Sequence, residues 1–259
     1  MIEGTDLGAV LAGADILHGV AFTARPGALT VIIGPNGSGK TTLMRRLTGD
    51  LTGPGTVRFD GTQIGTIRPR HLALRRAVLQ QTTPLGFPFT LREVVRMGLE
   101  AGPHAHRAAI IEAAVAEVGL TAKINQPFHD LSGGEQARGH LARVRAQIWE
   151  PVTTAGPCWL FVDEPVAALD IGHQIQVMTV LRRFADAGGG VVAVMHDLNL
   201  TAMHADHMVL MAEGRVLATG PPAQVMTDAH LSTAYRSPIR INRAPQNGIW
   251  VLPQMAVSP

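Results

Sequence analysis

The sequence contains almost no cysteine and no long apolar run. Cys158 is the single cysteine among 259 residues, so no disulfide can form within the chain, and such usage is typical of a reducing compartment. No apolar stretch approaches the ~20 residues needed to span a bilayer, and no secretory signal peptide is recognisable. We therefore expect a cytoplasmic protein that is at most peripheral to a membrane.

Charge of either sign is also scarce. The formal net charge is +2 at pH 7, which is too small to indicate a nucleic-acid-binding surface, and we expect no nucleic-acid partner. The densest basic cluster comprises Arg68, Arg70, Arg75 and Arg76. Its simplest interpretation is a solvated helix face, and a contact with a partner or a membrane surface is the alternative.

The chain does contain enough apolar residues for a sizeable core. Hydrophobic residues make up 46% of it and charged residues 16%, which argues against global disorder and allows one large domain or a core with a subdomain. Strand-like runs such as 29–33 and 158–162 alternate with helical patterns, which predicts the α/β fold class. The run Thr56–Phe59 followed by Asp60-Gly61 predicts a hairpin, and helical spacing of apolar residues over 90–150 predicts an all-helical insert.

The stretch GPNGSGKTT, residues 34–42, lies between a predicted strand and a predicted helix. Glycines let the backbone approach a ligand closely, and the start of a helix attracts anions, so this context predicts a phosphate-binding loop. Its members are Gly34, Pro35, Asn36, Gly37, Ser38, Gly39, Lys40, Thr41 and Thr42. Lys40 is expected to reach the β- and γ-phosphates, and the Thr41 hydroxyl to bind Mg²⁺. The alternative is a glycine-rich turn that merely packs tightly.

Two carboxylates follow the apolar run Cys158–Val162. Because ligands of α/β sheets bind at the carboxyl ends of strands, Asp163 is expected beside the glycine loop, where it can hold Mg²⁺. Glu164 is then placed to polarise a water molecule as a general base. The alternative is an ordinary strand that happens to end in acidic residues.

A third motif, Leu131–Gln136, reads LSGGEQ. Ser132 and Glu135 have the spacing of a helix capping box, and the glycines between them leave bare N–H groups at a positive helix end. This predicts a second phosphate site made of Ser132, Gly133, Gly134 and Glu135. Two half-sites for one anion in one chain predict a head-to-tail homodimer, in which each copy's Ser-Gly-Gly segment closes on the other copy's glycine loop.

With these motifs in this order, nearly the whole chain resembles the ATP-binding cassette (ABC) ATPases. The resemblance implies a P-loop NTPase core of the RecA type, with an N-terminal antiparallel β subdomain and an α-helical subdomain insert. It further implies a single domain over 1–259, in which 1–89 and 151–259 form the core and β subdomain and 90–150 the helical subdomain. ATP and Mg²⁺ are the implied cofactors.

The resemblance also implies roles for individual residues. Three further positions match the family's motifs: Gln81 as the Q-loop glutamine, with Gln80 as the alternative, Ala167–Asp170 as the D-loop, and His196 as the switch histidine. The implied catalytic residues are Glu164, His196, Lys40 and Gln81. The implied Mg²⁺ site consists of Thr41, Gln81 and Asp163, and Asp170 is implied to contribute to the nucleotide site at the dimer interface.

Some stretches are similar to one group within this family, the importers of iron chelates, haem and cobalamin. They include Phe87–Thr90 and His196–Leu200, and the spacer Ala146–Pro151 is similar to the hemin importers in particular. The implied function is ATP hydrolysis that powers haem uptake, with ferric siderophore or cobalamin as alternative cargo. The implied partners are a second ATPase subunit, an integral membrane permease dimer and, indirectly, a periplasmic substrate-binding protein, which gives a peripheral location on the cytoplasmic face of the inner membrane.

The chain departs from the family pattern in two places. The D-loop has Ala167 where serine is usual, which removes a hydrogen bond worth about 1 kcal/mol. Residues 1–21 contain no aromatic residue that could stack on adenine, so we expect Val10, Leu11 and Leu17 to pack against the base and discrimination between bases to be weak.

Two other functions compete with transport. One is a non-transport ABC ATPase, acting for example in DNA repair or iron–sulfur assembly. Repair ATPases insert long coiled coils or zinc modules near the Ser-Gly-Gly segment, and neither fits here, because the segment between Gln81 and Ser132 is short and the chain has one cysteine. A nucleotide-binding module without turnover is disfavoured because both Glu164 and His196 are present.

Overall fold

The structure is a computed structural model that describes residues 1–81, 87–167, 169–243 and 247–249. Among these residues the strands form a six-stranded sheet, a four-stranded sheet and a two-stranded hairpin, and helices cover the larger sheet. The predicted α/β fold class is confirmed. None of the helices in these ranges is long and apolar enough to cross a bilayer.

The six-stranded sheet carries the core. From one edge to the other its strands are β12 (Arg215–Gly220), β11 (His207–Ala212), β3 (Leu29–Ile33), β10 (Gly190–Val194), β9 (Trp159–Asp163) and β6 (Arg76–Leu79). All neighbours pair in parallel except β11 and β12. Every residue of β3, β9 and β10 is buried, which explains their continuous apolar runs, because a parallel sheet is covered on both faces.

The parallel pairing brings four chain segments to one edge of the sheet. Val194 pairs with both Ile32 and Asp163, and Leu79 pairs with Val162. The chain that leaves each of these strands therefore emerges at the same edge, where α/β proteins bind their ligands.

The four-stranded sheet is antiparallel and holds the N-terminal part of the chain. Its order is β2 (Ala14–Ala24), β1 (Ile2–Leu11), β4 (Thr56–Phe59) and β5 (Thr62–Gln63). The predicted hairpin is present: Phe59 pairs with Thr62, and Asp60 and Gly61 both adopt positive φ, as a tight two-residue turn requires. Helix α1 (Lys40–Thr48) lies between the two sheets and buries Leu43 and Leu47.

Among the residues described between β6 and β9 there are three α-helices, α3 (Leu91–Ala101), α4 (Ala109–Glu117) and α5 (Gly133–Gln147), and two short 3₁₀ helices, Thr121–Lys123 and Phe128–Asp130. Both α3 and α5 begin with a complete capping box, formed by Thr90 with Glu93 and by Ser132 with Glu135. The division of the chain into subdomains at 90 and 150 stays a prediction. The remaining strands and α-helices of the described residues are α2 (Pro69–Ala73), β7 (Val152–Thr153), β8 (Gly156–Pro157), α6 (Ile171–Asp186), α7 (Leu198–His204), α8 (Pro222–Val225) and α9 (Asp228–Tyr235).

The basic cluster divides between surface and interior. Arg68 and Arg70 are exposed, as expected for a solvated helix face. Arg75 instead forms an ion pair with Asp60 and donates to the Pro157 carbonyl at 2.9 Å, and the Arg76 guanidinium lies 3.8 Å from Asp50. The expectation of one solvated face is therefore wrong for Arg75 and Arg76, because α2 ends at Ala73 and the chain turns into β6.

We predict that Gly98→Ala destabilises the fold. A Cβ atom at Gly98 would lie 1.9 Å from the Arg143 carbonyl oxygen, so α3 and α5 would have to separate. Overpacking of this kind costs about 1–3 kcal/mol, which for a chain of this size lowers Tm by several degrees. Gly65→Ala is the matched control, because a Cβ there meets no atom within 4 Å. Equal melting temperatures for the two variants would contradict the prediction.

Candidate nucleotide-binding site

A cleft of about 630 Å³ opens at the sheet edge where the parallel strands end. Its volume is within the usual range for small-molecule sites. It brings together residues from five separate parts of the chain, namely Ile16, Asn36, Gly37, Gly39, Lys40, Thr41, Thr42, Gln81, Glu164 and His196.

The glycine loop has the backbone that its sequence predicts. Gly37 and Gly39 have φ values of 79° and 96°, which favour glycine. At Gly34 a Cβ atom would lie 2.2 Å from the Met211 carbonyl oxygen, so a larger residue does not fit. Gly39 precedes α1 and offers no side-chain cap, which leaves the first N–H groups of the helix available to an anion at its positive end.

Lys40 is the cation of this loop. Its Nζ donates to the carbonyl oxygens of Gly34 and Pro35, both at 2.9 Å, and the residue is buried. Burial lowers the pKa of Lys40, and the nearby carboxylates of Glu164 and Asp163 oppose this effect. The ammonium group is therefore held inside the loop by main-chain acceptors that a phosphate group can replace.

Asp163 has the features of a metal ligand. The residue is 6% exposed, and its buried Oδ1 has no hydrogen-bond partner among the described residues. Burial raises the pKa of Asp163, while a hydrogen bond from Thr41 lowers it and the charge of Glu164 raises it further. An unsatisfied buried carboxylate oxygen is costly, and oxygen donors are what Mg²⁺ prefers, so Asp163 beside the Thr41 hydroxyl fits this ion.

Glu164 is held from two sides. The His196 Nε2 lies 2.5 Å from Oε1, and the Gln81 Nε2 donates to Oε2 at 2.8 Å. Glu164 also adopts a φ of 52°, a conformation that is uncommon for residues other than glycine. Three residues that the sequence motifs single out thus meet at one carboxylate. Gln80, the alternative to Gln81, is exposed and lines a neighbouring groove.

The Ser132–Glu135 segment is built as predicted but lies elsewhere. Glu135 Oε2 accepts from the Ser132 N–H at 3.0 Å, and the Lys123 ammonium lies 2.5 Å from Oε1. The hydrogen bond from Lys123, followed by that from the Ser132 backbone, lowers the pKa of Glu135 to about 2. Ser132, Gly133, Gly134 and Glu135 are not among the described residues that line the cleft.

Asp170 caps the N-terminus of α6, and its Oδ1 accepts from the His173 backbone N–H at 2.9 Å. It does not line the cleft of its own chain, as far as the described residues show. The predicted D-loop, Ala167–Asp170, is described except for Ala168, which lies outside the described residues. Val166 is buried and Ala167 is exposed.

The apolar side chain that lines the cleft differs from those expected beside the adenine base. Leu17 is buried in the core and Val10 is more than half exposed, whereas Ile16 lines the cleft. The expectation is therefore wrong for Leu17, and it stays a prediction for Val10 and Leu11. Side chains of a strand alternate between faces, so Ile16 lies on the face opposite to the buried Leu17. The sequence shows this alternation but does not show which face meets the glycine loop.

Comparisons with known proteins agree on one family. The profile described as "ABC transporter" matches residues 17–167. A protein of Jannaschia sp. (strain CCS1) named hemin import ATP-binding protein is 51% identical over 99% of this chain and 95% of its own length. A protein with the same name from Roseobacter denitrificans is 51% identical over 98% of each chain.

Solved structures show the same fold. A dimeric ATP-binding cassette in a post-hydrolysis state, bound to ADP and Pi, has a TM-score of 0.73 with 22% identity and covers 86% of this chain and 99% of its own. The ATP-binding subunit of an ABC transporter has a TM-score of 0.74 with 22% identity over 85% of this chain and 89% of its own.

We predict weak base discrimination, because Ile16 offers an aliphatic surface and no aromatic face. ATP and GTP should bind with affinities within a few-fold of each other. Ile16→Tyr should tighten ATP binding by about 1 kcal/mol, the lower end of base stacking on an aromatic ring. Titration with fluorescent nucleotide analogues measures both effects.

Val10→Tyr is the control, because it adds the same ring at an exposed position on β1. A strong preference of the unmodified protein for ATP would show that something other than Ile16 reads the base.

Proposed function

This chain belongs to the ABC transporter family, and we propose that it is the ATP-hydrolysing subunit of an importer that carries hemin through a membrane permease. The observation that carries the enzymatic part is the contact of Glu164 with both Gln81 and His196 at the mouth of the glycine loop. The proposal that the cargo is hemin rests on two relatives that are named for hemin import. They share about half of their residues with this chain over nearly its whole length.

The triphosphate of ATP is proposed to bind residues 34–42. Main-chain N–H groups at the start of α1 would surround the phosphates, and Lys40 would exchange the carbonyls of Gly34 and Pro35 for phosphate oxygens. We propose that Mg²⁺ is held by Thr41, Asp163 and Gln81, where it would neutralise charge on the phosphates. The unpartnered Oδ1 of Asp163 supports this assignment.

Glu164 is proposed to act as the general base. Its carboxylate would accept a proton from a water molecule in line with the γ-phosphate, while Gln81 and His196 keep it oriented. His196 would then also contact the γ-phosphate. Since phosphoryl transfer depends on positioning and electrostatic stabilisation, holding one carboxylate by two side chains is a direct contribution to rate.

The site is proposed to be completed by a second copy of the chain. Ser132 and Gly133 are exposed at the start of α5, where the helix leaves its first N–H groups free for an anion. In a head-to-tail homodimer these groups would close on the γ-phosphate held by the other copy, and Asp170 would lie at the same interface.

A groove beside the nucleotide cleft is proposed to receive the permease. It has a volume of about 520 Å³, and its lining includes Arg45, Asp50 and Gln80. Thr41 and Gln81 line both the groove and the nucleotide cleft, so a helix seated in the groove would touch the residues that hold the nucleotide. This partner would place the chain on the cytoplasmic face of the membrane, with the periplasmic binding protein acting through the permease.

We predict that Glu164→Gln abolishes turnover and preserves ATP binding. The amide cannot accept the proton from water, but it retains hydrogen bonds to its neighbours, so ATPase activity should fall by at least ~10²-fold, the scale of general-base catalysis. Phosphate release and equilibrium binding give the two readouts.

Glu213→Gln is the matched control, because Glu213 is also a glutamate with positive φ, at 48°, but lies on the surface. Full activity of the Glu164 variant would refute the proposed mechanism.

We predict that deleting the gene removes growth on hemin as the sole iron source, and that the tagged chain co-purifies with an integral membrane protein. Growth on ferric siderophore and supply of cobalamin should be unaffected. If the deletion impaired ferric siderophore use or cobalamin supply and left growth on hemin unchanged, the cargo would be that compound, and the proposed ATPase role would still hold. Purification without any membrane partner would favour a non-transport ABC ATPase.

A further inference from the structure

The turn between Glu164 and Asp170 has no side chain that can hold Asp170 in place. Its residues are Pro165, Val166, Ala167, Ala168 and Leu169, none of which carries a polar side-chain group. Any side chain that fixes the direction of the Asp170 carboxylate must therefore come from outside this turn. The first turn of α6 supplies two candidates, His173 and Gln174.

His173 contacts both carboxylate oxygens of Asp170. Its backbone N–H donates to Oδ1 at 2.9 Å, which is the ordinary helix cap. Its ring adds a second contact, because Nδ1 lies 2.9 Å from Oδ1 and 2.8 Å from Oδ2. An ionised carboxylate only accepts hydrogen bonds, so Nδ1 must carry a proton. In the neutral ring, Nε2 is then left as an acceptor that faces away from Asp170.

Gln174 holds the middle of the same turn. Its Nε2 lies 3.4 Å from the Val166 carbonyl oxygen, and its backbone N–H donates to the Asp170 carbonyl at 2.8 Å. The turn is thus fixed at one end by Glu164, which is bound to Gln81 and His196, and at the other end by α6.

The Asp170 carboxylate is ionised at neutral pH. Hydrogen bonds from the His173 backbone and then from its side chain lower the pKa of Asp170. The side chains are nevertheless exposed, by 70% for Asp170 and 40% for His173. Exposed contacts between a carboxylate and a polar or charged side chain contribute little to the stability of a single chain. The contact between Asp170 and His173 is therefore better explained by a role that begins when another surface covers it.

We propose that His173 is a positioning residue of the composite nucleotide site, and that its Nδ1–H fixes the direction in which Asp170 meets a second copy of the chain. This inference rests on the proposed function, because it presupposes the ATP-bound homodimer. Without the ring, Asp170 would keep its helix cap through Oδ1, but the carboxylate would be free to turn about this one hydrogen bond. The dimer interface would then have to order the Asp170 carboxylate on assembly.

The test measures ATP-dependent dimer formation in a background of Glu164→Gln, which prevents hydrolysis. Light scattering across an ATP and protein titration gives the dimerisation constant for His173→Ala, His173→Asn and His173→Gln. The Nδ2 amide of asparagine lies where Nδ1 of histidine lies, whereas that of glutamine lies one bond farther out. We expect asparagine to retain dimerisation and alanine and glutamine to weaken it, with unchanged melting temperatures.

The expected weakening is roughly three- to twentyfold, because a symmetric dimer contains two such pairs and each exposed pair contributes a few-fold. Arg240→Ala is the control, since it removes an exposed partner of Asp228 in the first turn of α9. Equal dimerisation of all three His173 variants, or loss with asparagine as severe as with alanine, would overturn the inference. Failure of the Glu164→Gln parent itself to dimerise with ATP would overturn the proposed composite site as well.

Discussion

The register between β9 and β10 is the constraint on which the site depends, and a large side chain sets it. Gly190 pairs with Trp159, and a Cβ atom at Gly190 would lie 2.4 Å from the indole ring. A slip of one residue would bring Val191 or Gly189 opposite the tryptophan and would move Asp163 by about 3.3 Å along the sheet, with its side chain on the other face. Because β10 is apolar throughout and β9 is apolar up to Asp163, their hydrophobic pattern alone does not specify the register. The fit of Trp159 over Gly190 excludes the slip that would bring Val191 opposite the indole ring.

That register concentrates negative charge where a triphosphate is proposed to bind. Asp163 and Glu164 are adjacent, and Lys40 is the cation near them. Two carboxylates repel a polyanion, so binding at this edge needs more positive charge than one ammonium supplies. The architecture offers two further sources of positive charge. One is the start of α1 after Gly39, and the other would be a divalent ion bound to the Asp163 oxygen that has no partner among the described residues. Gln81 and His196 hold the Glu164 carboxylate from two sides, which suits the proposed role of a base that must be oriented toward water.

The parts of the site that could be predicted from sequence are those encoded in one continuous stretch. The glycine loop, the capping box of Ser132 with Glu135 and the turn at Asp60-Gly61 each depend on local backbone rules, and each has the predicted local conformation. Ile16 was missed because its role depends on which face of β2 meets the glycine loop, a tertiary fact. Arg75 and Arg76 were misjudged for a related reason, since their partners Asp60 and Asp50 come from other elements.

The cap at Ser132 shows how one residue can serve both the fold and the proposed dimer. The reciprocal bonds of the capping box are unequal: Glu135 accepts from the Ser132 N–H at 3.0 Å, whereas the Ser132 hydroxyl accepts from the Glu135 N–H at 3.4 Å. Lys123 holds Glu135 independently, so α5 keeps its start if the serine hydroxyl turns away. The longer bond is the one that involves the hydroxyl, and a hydroxyl is both donor and acceptor. Ser132 can therefore donate to a phosphate oxygen of a second copy's nucleotide and release the Glu135 N–H to the same anion, without unwinding the helix that presents it.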